Sequence, residues 1–182
     1  MAYLVIFTQF CWMNRRHFIG LGGNMGDRHA LLDAALDEIL LAFPYEQVRS
    51  SRYETPAWGM ELGTPAFLNQ VVTIALPETL EPLHVLGTLL AIEQKLGRNR
   101  DSNTDGYRSR SIDLDLLVVE GEHMETEALT LPHPRMHLRR FVLAPLAELA
   151  PELQLAEDGP TVAELLRTCA DQSTVQRLET AP

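Results

Sequence analysis

The sequence predicts an α+β domain with a ferredoxin-like βαββαβ core, a mostly antiparallel sheet with helices packed on it, and further helices at the C-terminus. Three observations support this prediction. Strand-like apolar runs alternate with stretches of helical period, two strand-like runs follow one another between the helices, and no repeat or linker divides the chain. With 182 residues the chain is large enough for one domain with a sizeable core.

The individual elements are predicted from short-range patterns. Apolar residues repeat at helical spacing over 31–43 and again from Leu83 to Ile92, whereas short apolar runs bounded by turn residues predict strands. We expect Thr79 to cap the second helix and Gly97 to end it. The predicted order is strand 17–21, helix 31–43, strands 47–54 and 69–76, the second helix, strand 112–119, and two short helices, one from 144 and one over 161–169.

Composition and charge narrow the class of ligand. Hydrophobic residues make up 46% of the chain and charged residues 22%, as in ordinary globular proteins. The net charge of −10 argues against a nucleic-acid partner, which normally needs a basic surface. Seven of the 15 basic residues nevertheless fall in one stretch, namely Arg98, Arg100, Arg108, Arg110, Arg135, Arg139 and Arg140. This distribution favours a small polyanion as the ligand.

The cysteines and the chain ends indicate the protein's setting. Cys11 and Cys169 have no metal-ligand spacing, which predicts a reduced, cytoplasmic protein without disulfides. No apolar stretch is long enough to predict a membrane span, and the apolar start lacks the basic leading region of a signal peptide. We interpret residues 1–14 as an N-terminal extension and 15–182 as a single domain, which we expect to be a monomer or a weak homodimer.

Asp113-Leu114-Asp115 is the most informative motif. Residues 112–119 are predicted to form a buried strand, in which residues two apart point to the same face, roughly 7 Å from each other. Two carboxylates this close cannot both stay ionised without a counter-charge. A divalent cation supplies one, and oxygen ligands without clustered His or Cys favour Mg²⁺. With Arg110 just upstream, the motif predicts phosphoryl-transfer chemistry.

The same motif has a second interpretation, as two solvated residues on the polar face of an edge strand. The strand's other positions are all apolar, so we expect it to be central in the sheet, where a wet face is less available. The arginines have an alternative as well, because any one of them could be solvated on an ordinary loop.

The segment 98–110 lacks periodicity and carries Arg98, Arg100, Arg108 and Arg110. Loops of this length inside a compact domain are usually functional. A loop that bears arginines beside a carboxylate pair predicts a lid that closes on a phosphorylated ligand.

A glycine-rich segment, 20–26, lies between the first strand and the first helix. The Rossmann fingerprint requires glycine at offset 5 from Gly20, where this chain has Met25, and no P-loop motif occurs either. We therefore interpret the segment as a tight connection in which Gly20 and Gly22 let the backbone pass under neighbouring side chains.

Six segments, taken in their order along the chain, resemble one family. They are Gly20-Leu21-Gly22-Gly23-Asn24-Met25-Gly26-Asp27, Tyr53-Glu54-Thr55-Pro56, Phe67-Leu68-Asn69, Leu96-Gly97-Arg98-Asn99-Arg100, Arg110-Ser111-Ile112-Asp113-Leu114-Asp115 and Pro132-His133-Pro134-Arg135-Met136. The family is 6-hydroxymethyl-7,8-dihydropterin pyrophosphokinase, an enzyme of folate biosynthesis. The resemblance runs from about Arg15 to about Pro151.

The resemblance implies a ferredoxin-like α+β fold and a pyrophosphokinase domain over 15–182. The implied reaction moves the β,γ-pyrophosphoryl group of ATP to the hydroxymethyl oxygen of 6-hydroxymethyl-7,8-dihydropterin and releases AMP. It also implies that Asp113 and Asp115 bind two Mg²⁺ ions. The implied catalytic residues are Arg98, Arg110, Asp113 and Asp115. The implied ATP-binding residues are Glu93, Arg100, Leu116, Thr130, His133 and Arg139.

The resemblance further implies a pterin site in which two aromatic rings sandwich the ligand and an amide contacts its edge. The implied pterin-binding residues are Thr55, Trp58, Phe67, Asn69 and Phe141. Considered without the family, Phe67 and Phe141 would be interpreted as core residues, and His133, which lies between two prolines, as a turn residue. We also expect ATP to bind before the pterin, because the four loop arginines should repel one another until a triphosphate neutralises them.

The chain departs from the family pattern in two places. Many relatives have Gly-Pro before the arginine of the Asp-x-Asp segment, where this chain has Arg108-Ser109. Gly23 stands where the family usually has serine, which we interpret as a small change. Two rival interpretations are a catalytically silent relative that binds nucleotide or pterin, and another Mg²⁺-dependent phosphotransferase on the same fold.

Overall fold

The computed structural model describes residues 14–57, 60–61, 63–98 and 108–179. The strands are β1 (Asn14–Gly23), β2 (Gln47–Arg49), β3 (Tyr53–Thr55), β4 (Phe67–Pro77), β5 (Asp113–Val119), β6 (Met124–Glu125), β7 (Thr130–Leu131) and β8 (Gln176–Arg177). The α-helices are α1 (Arg28–Ala42), α2 (Pro82–Lys95), α3 (Arg140–Leu149) and α4 (Val162–Thr168), and a 3₁₀ helix spans Met136–Leu138.

The main sheet is antiparallel throughout the described residues. Its strand order is β5-β1-β4-β3-β8, and β2 also pairs with β4. If β2 and β3 are counted as one interrupted strand, the chain order β1-α1-β2/β3-β4-α2-β5 is the predicted βαββαβ core. The predicted fold class is therefore confirmed. β6 and β7 form a separate hairpin after Gly121.

The two faces of the sheet pack against different helices. On the first face, Ile19, Leu21, Leu114 and other strand residues form a core with apolar side chains of α1 and α2. On the second face, Phe18 and other strand residues form a core with α3 and α4. Because side chains alternate along a strand, Gly20, Gly22, Asp113, Asp115 and Asn69 all belong to this second face.

The Asp-x-Asp strand was expected to be central, and this expectation is wrong: β5 is the end strand of the sheet order. Its outer edge is covered by other groups. The buried Glu93 carboxylate accepts a hydrogen bond from the Leu114 N–H (2.7 Å), and the His133 N–H donates to the Leu117 carbonyl (2.8 Å). An edge strand covered in this way can be as apolar as a central one.

The predicted strand 47–54 is interrupted at Ser50. The Ser50 hydroxyl accepts a hydrogen bond from the Val71 N–H (3.0 Å), while the Ser50 N–H donates to the Val71 carbonyl (2.9 Å). The Ser50 hydroxyl therefore accepts the hydrogen bond that a backbone carbonyl of the strand would accept in a regular ladder. This interruption separates β2 from β3.

Two helix predictions need correction. The N-cap position of α2 is held by Glu81, not Thr79, and without a side-chain capping bond. Pro82 takes the first helical position, where its missing N–H costs nothing. α3 begins at Arg140 rather than at 144, and Pro145 lies inside it. α4 agrees with the prediction, since Thr161 and Glu164 form a capping box at its start. The strand β8 was not predicted.

Candidate active site

A cavity of about 540 Å³ opens on the second face of the sheet. Ten of the predicted site residues line it: Thr55, Phe67, Asn69, Arg98, Arg110, Asp113, Asp115, His133, Arg139 and Phe141. We call Arg98, Arg110, Asp113, Asp115, His133 and Arg139 the charged half of the cavity. Thr55, Phe67, Asn69 and Phe141 form its aromatic half. The volume is typical of small-molecule sites.

The other predicted residues do not line the cavity. The Leu116 side chain lies in the core on the first face of the sheet, and Thr130 lies in the hairpin strand β7. Glu93 is fully buried in α2 and reaches the site through Arg98, with which it forms an ion pair. Trp58 and Arg100 lie outside the described residues.

Glycines of β1 form the floor of the cavity. A Cβ atom at Gly20 would lie 3.2 Å from Leu117 Cδ1, and one at Gly22 would lie 3.0 Å from Asn69 Oδ1. The predicted passage of backbone under neighbouring side chains is confirmed, although both glycines belong to the strand itself rather than to a turn.

In the charged half, Asp113 is the common partner of two arginines. Arg98 donates to Asp113 Oδ1 and Arg110 donates to Asp113 Oδ2. Arg98 also contacts Glu93 Oε1 at 2.5 Å. The two arginines come from the two ends of the segment 98–110, so Asp113 holds both ends of the predicted lid against β5.

Asp115 lies in a different electrostatic environment on the same strand. The pKa of Asp115 is raised to about 6, mainly by burial and then by the charge on Asp113, against the opposing charges of Arg139 and Arg110. A carboxylate that is costly to ionise beside another carboxylate is stabilised by a nearby cation. Among the described residues, no group of three or more His, Cys, Asp or Glu side chains could hold a metal.

The two aspartates fit Mg²⁺ as a pair of hard oxygen ligands. Mg²⁺ in nucleotide sites commonly takes one or two carboxylates and completes its coordination with phosphate oxygens and water. Two carboxylates without a third protein ligand are consistent with that pattern, which requires the ligand to bring the remaining oxygens.

His133 and Arg139 complete the charged half, together with a residue that we did not predict. Burial, and to a smaller extent the charges of Arg139 and Arg135, lower the pKa of His133 to about 4. His133 is therefore neutral near pH 7. Arg135 also lines the cavity. It belongs to the Pro-His-Pro-Arg-Met segment, but nothing in the sequence distinguished it from a solvated arginine.

The aromatic half is built from neighbouring strand residues. Asn69 on β4 donates through its side-chain amide to the Thr55 hydroxyl on β3 (2.9 Å), and both side chains are buried. The Arg110 guanidinium lies 5.6 Å from the centre of the Phe67 ring, and that of Arg139 lies 5.8 Å from the Phe141 ring. The two phenylalanines thus face the cavity and contact the charged half, in contrast to their interpretation as plain core residues.

Asn24 is a further residue that the sequence did not single out. Its buried side-chain amide donates to Ser109 Oγ (3.0 Å) and to the Pro65 carbonyl (3.1 Å), and its Oδ1 accepts from the Arg110 N–H (2.8 Å). These bonds fix the segment that carries Arg110. In this chain, Ser109 makes a hydrogen bond at the position where many relatives have proline.

Gly23 packs against the backbone of the same segment, at Arg110 and Ser111. A Cβ atom at Gly23 would lie 2.2 Å from the Ser111 carbonyl oxygen, closer than real Cβ atoms approach. The interpretation of Gly23 as a small change is therefore wrong, because this backbone packing leaves no room for a serine unless the backbone moves.

Comparisons with known proteins show which family the chain resembles. The family described as 7,8-dihydro-6-hydroxymethylpterin-pyrophosphokinase matches residues 18–151. The 2-amino-4-hydroxy-6-hydroxymethyldihydropteridine pyrophosphokinase of Methylorubrum extorquens is 41% identical over 166 residues, which cover 90% of this chain and 99% of the relative. The protein of the same name from Bacillus subtilis is 40% identical over 168 residues, covering 90% and 95%.

Solved structures support the fold. A crystal structure described as HPPK-DHPS in complex with substrates superposes with a TM-score of 0.63 at 14% sequence identity, covering 85% of this chain and 44% of that one. Wild-type HPPK-DHPS from Plasmodium falciparum gives a TM-score of 0.61 at 13% identity, again covering 85% and 44%. This chain therefore corresponds to less than half of those longer chains.

Proposed function

The chain belongs to the 7,8-dihydro-6-hydroxymethylpterin-pyrophosphokinase family, and we propose that it transfers pyrophosphate from ATP to 6-hydroxymethyl-7,8-dihydropterin in folate biosynthesis. The hydroxymethyl oxygen attacks the β-phosphorus, and AMP leaves. The observation that carries the proposal is that one cavity combines the carboxylate pair and its arginines with the aromatic half. A nucleoside triphosphate could therefore bind in the charged half and a flat heteroaromatic ring beside it in the aromatic half.

The charged half serves the triphosphate. Arg98 and Arg110 share the carboxylate of Asp113, and their guanidinium forks match phosphate oxygens equally well. We infer that they pass from Asp113 to the phosphates when ATP binds, so that charge is compensated before and after. Arg139 and the neutral His133 contact the same nucleotide, and Glu93 holds Arg98 beside it. Arg100, Leu116 and Thr130 are assigned to the nucleotide from the family resemblance alone.

Asp113 and Asp115 would hold two Mg²⁺ ions, which would neutralise charge on the triphosphate and orient it for in-line attack. Asp113 would be available to hold the metal once Arg98 and Arg110 had passed to the phosphates. We assign no general base, because in a loose transition state the hydroxyl proton leaves late, to solvent or to phosphate.

The aromatic half serves the pterin. Phe67 and Phe141 stack on the two faces of the ring, since flat heteroaromatic rings gain from offset or edge contacts with aromatic side chains. The Asn69 amide can both donate and accept at the ring edge. Its hydrogen bond to Thr55 fixes the orientation of the amide, with the NH₂ group toward Thr55. Trp58 is assigned to the same pocket from the family resemblance.

The remaining proposals concern the protein's setting. No helix among the described residues has the length and apolar character to cross a membrane. We propose a cytoplasmic enzyme that is a monomer or weak homodimer, with ATP and the pterin as its partners rather than nucleic acid or a membrane. The predicted boundary after residue 14 moves by one residue, because β1 begins at Asn14. Residues 1–13 are proposed to lie outside the pyrophosphokinase domain.

The test is to incubate the protein with ATP, Mg²⁺ and 6-hydroxymethyl-7,8-dihydropterin and to separate the nucleotides by chromatography. We expect AMP, formed only when pterin and metal are both present. Asp113→Ala and Asp115→Ala should abolish its formation. Glu120→Gln is the matched control, because Glu120 follows the other end of β5 and pairs with the exposed Arg16.

Two other results would contradict the proposal in different ways. ADP instead of AMP would mean ordinary kinase chemistry on this fold. Pterin binding without nucleotide turnover would indicate a silent relative, and the Arg108-Ser109 segment would then be the first to examine.

A further inference from the structure

The chain continues beyond the family match, which ends at residue 151. The continuation forms α4 and β8 and runs between two walls of the aromatic half. One end of this tail, near Asp171, contacts the start of α3, the helix that carries Phe141. The other end pairs with β3, the strand that carries Thr55. Neither contact was predicted from the sequence.

Asp171 makes the contact with α3. Its side chain is 8% exposed, and its Oδ2 accepts a hydrogen bond from the Arg140 N–H at 3.1 Å. Its Oδ1 accepts from Ser173, through the N–H at 2.9 Å and through the hydroxyl at 2.5 Å. The residue at the N-cap of α3, Arg139, makes no side-chain capping bond. A carboxylate 31 residues further along the chain therefore meets a first-turn N–H that local capping leaves open.

The same tail then reaches β3. Gln176 and Arg177 pair with Glu54 and Tyr53, and the Leu178 N–H donates to the Arg52 carbonyl at 2.8 Å. Before Asp171, α4 packs in the core with α3, and after it β8 pairs with β3. The Asp171 carboxylate is therefore held against α3 from both sides.

We propose that Asp171 is a positioning residue for pterin binding, which acts by fixing the first turn of α3 and with it the ring of Phe141. The inference rests on the proposed function of the cavity. Loss of the Asp171 carboxylate should displace Phe141 more than Arg139. Arg139 has an anchor of its own, because its N–H donates to the Met136 carbonyl at 3.1 Å.

The test compares Asp171→Ala and Asp171→Asn with the wild-type chain in steady-state kinetics. We expect Asp171→Ala to raise the KM for 6-hydroxymethyl-7,8-dihydropterin about 10-fold, because a small misplacement of a binding group is costly, while the KM for ATP changes less than about 2-fold. Asp171→Asn should lie between, since one amide oxygen can serve either Arg140 or Ser173 but not both. Asp158→Asn is the matched control, as an exposed tail carboxylate in a backbone conformation that asparagine accepts.

Hydrogen exchange gives a second readout that does not depend on activity. Amides in the first turn of α3 should exchange faster in Asp171→Ala than in wild type, while those of β1 should not change. Faster exchange with an unchanged pterin KM would overturn the proposal, since Asp171 would then be merely structural. Unchanged exchange would overturn it as well. A wild-type chain that forms no AMP would contradict the proposed function instead, and the exchange data would still decide whether Asp171 holds α3.

Discussion

The charged half and the aromatic half of the cavity keep their shapes by different means. In the aromatic half, Asn69 and Thr55 lie on adjacent strands. The ladder pairs Asn69 with Tyr53, two positions before Thr55, so Asn69 and Thr55 are diagonal neighbours on one face of the sheet. Their hydrogen bond joins two uncharged side chains. In the charged half, Asp113 is joined to Arg98, which lies 15 positions earlier in the chain, by an ion pair. The first arrangement is held by the backbone, and the second by opposite charges.

The difference teaches how each half can respond to a ligand. A side chain fixed by ladder geometry is already oriented, so binding there requires little reorganisation. Charges that neutralise one another must exchange partners when a polyanion arrives. The charged half is therefore expected to be the part that changes on binding.

This comparison corrects the reason given for ATP binding first. The four loop arginines were expected to repel one another until a triphosphate neutralised them. For Arg98 and Arg110 this premise is wrong, because both donate to Asp113. Arg108 is exposed, and Arg100 lies outside the described residues. Loop repulsion thus gives no argument for an obligatory order.

The largest effect is expected from the charged half. Asp115→Asn should lower kcat by about 10³-fold, since it removes one of the two carboxylates proposed to hold Mg²⁺ at the triphosphate. The same change should leave the melting temperature equal or higher. Burial and Asp113 make the Asp115 carboxylate costly to ionise, and the amide removes that cost. Kinetics and calorimetry on the same preparation measure both.

Asp113→Asn provides the contrast for this variant. It should lose comparable activity, but its melting temperature should fall, because Arg98 and Arg110 lose the carboxylate that they share. If Asp115→Asn kept most of its activity, the assignment of the Asp pair to the metal would be wrong.

A smaller effect, confined to the other substrate, is expected in the aromatic half. Asn69→Ala should raise the KM for the pterin by about 10- to 100-fold, because ligand groups and Thr55 lose a buried hydrogen-bond partner. The KM for ATP should change by less than about 3-fold, since no charge is removed. Initial rates over a grid of both substrate concentrations separate the two constants.

Thr73→Val is the matched control for Asn69. Thr73 lies on the same strand, and its buried hydroxyl has no hydrogen-bond partner in the described part of the chain. Replacing it by a methyl group should leave both KM values unchanged. An Asn69→Ala variant that weakened ATP and pterin equally would mean that the two halves are not independent.

The sequence predicted most of the fold because its patterns are local. Helical period, strand alternation and turn residues located the six core elements, and the carboxylate pair pointed to the charged half. Contacts between distant segments were not accessible in this way. The apolar character of β5 suggested a central strand, but it arises because Glu93 and the segment at His133 cover an edge.

The same limit explains the residues that were missed. Asn24 looks like an ordinary turn residue until the fold brings Ser109 and Arg110 beside it. Gly23 looked replaceable because only the folded chain places the Ser111 carbonyl under its Cα. Asp171 lies where no motif marked the chain. Each of these roles depends on a partner more than 30 positions away, which local patterns do not reveal.

The smallest effect concerns the protonation of His133. Burial and the charges of Arg139 and Arg135 hold its pKa at about 4, so in NMR titrations of the protein without nucleotide its ring should titrate far below neutrality. Arg135→Gln removes one of these cations and should move the pKa upward, toward the ordinary value. Arg16→Gln, at the far end of β1, should not move it. A His133 pKa near 6.5 in the wild-type protein would mean that the ring is hydrated and that the charged half is more open than its packing indicates.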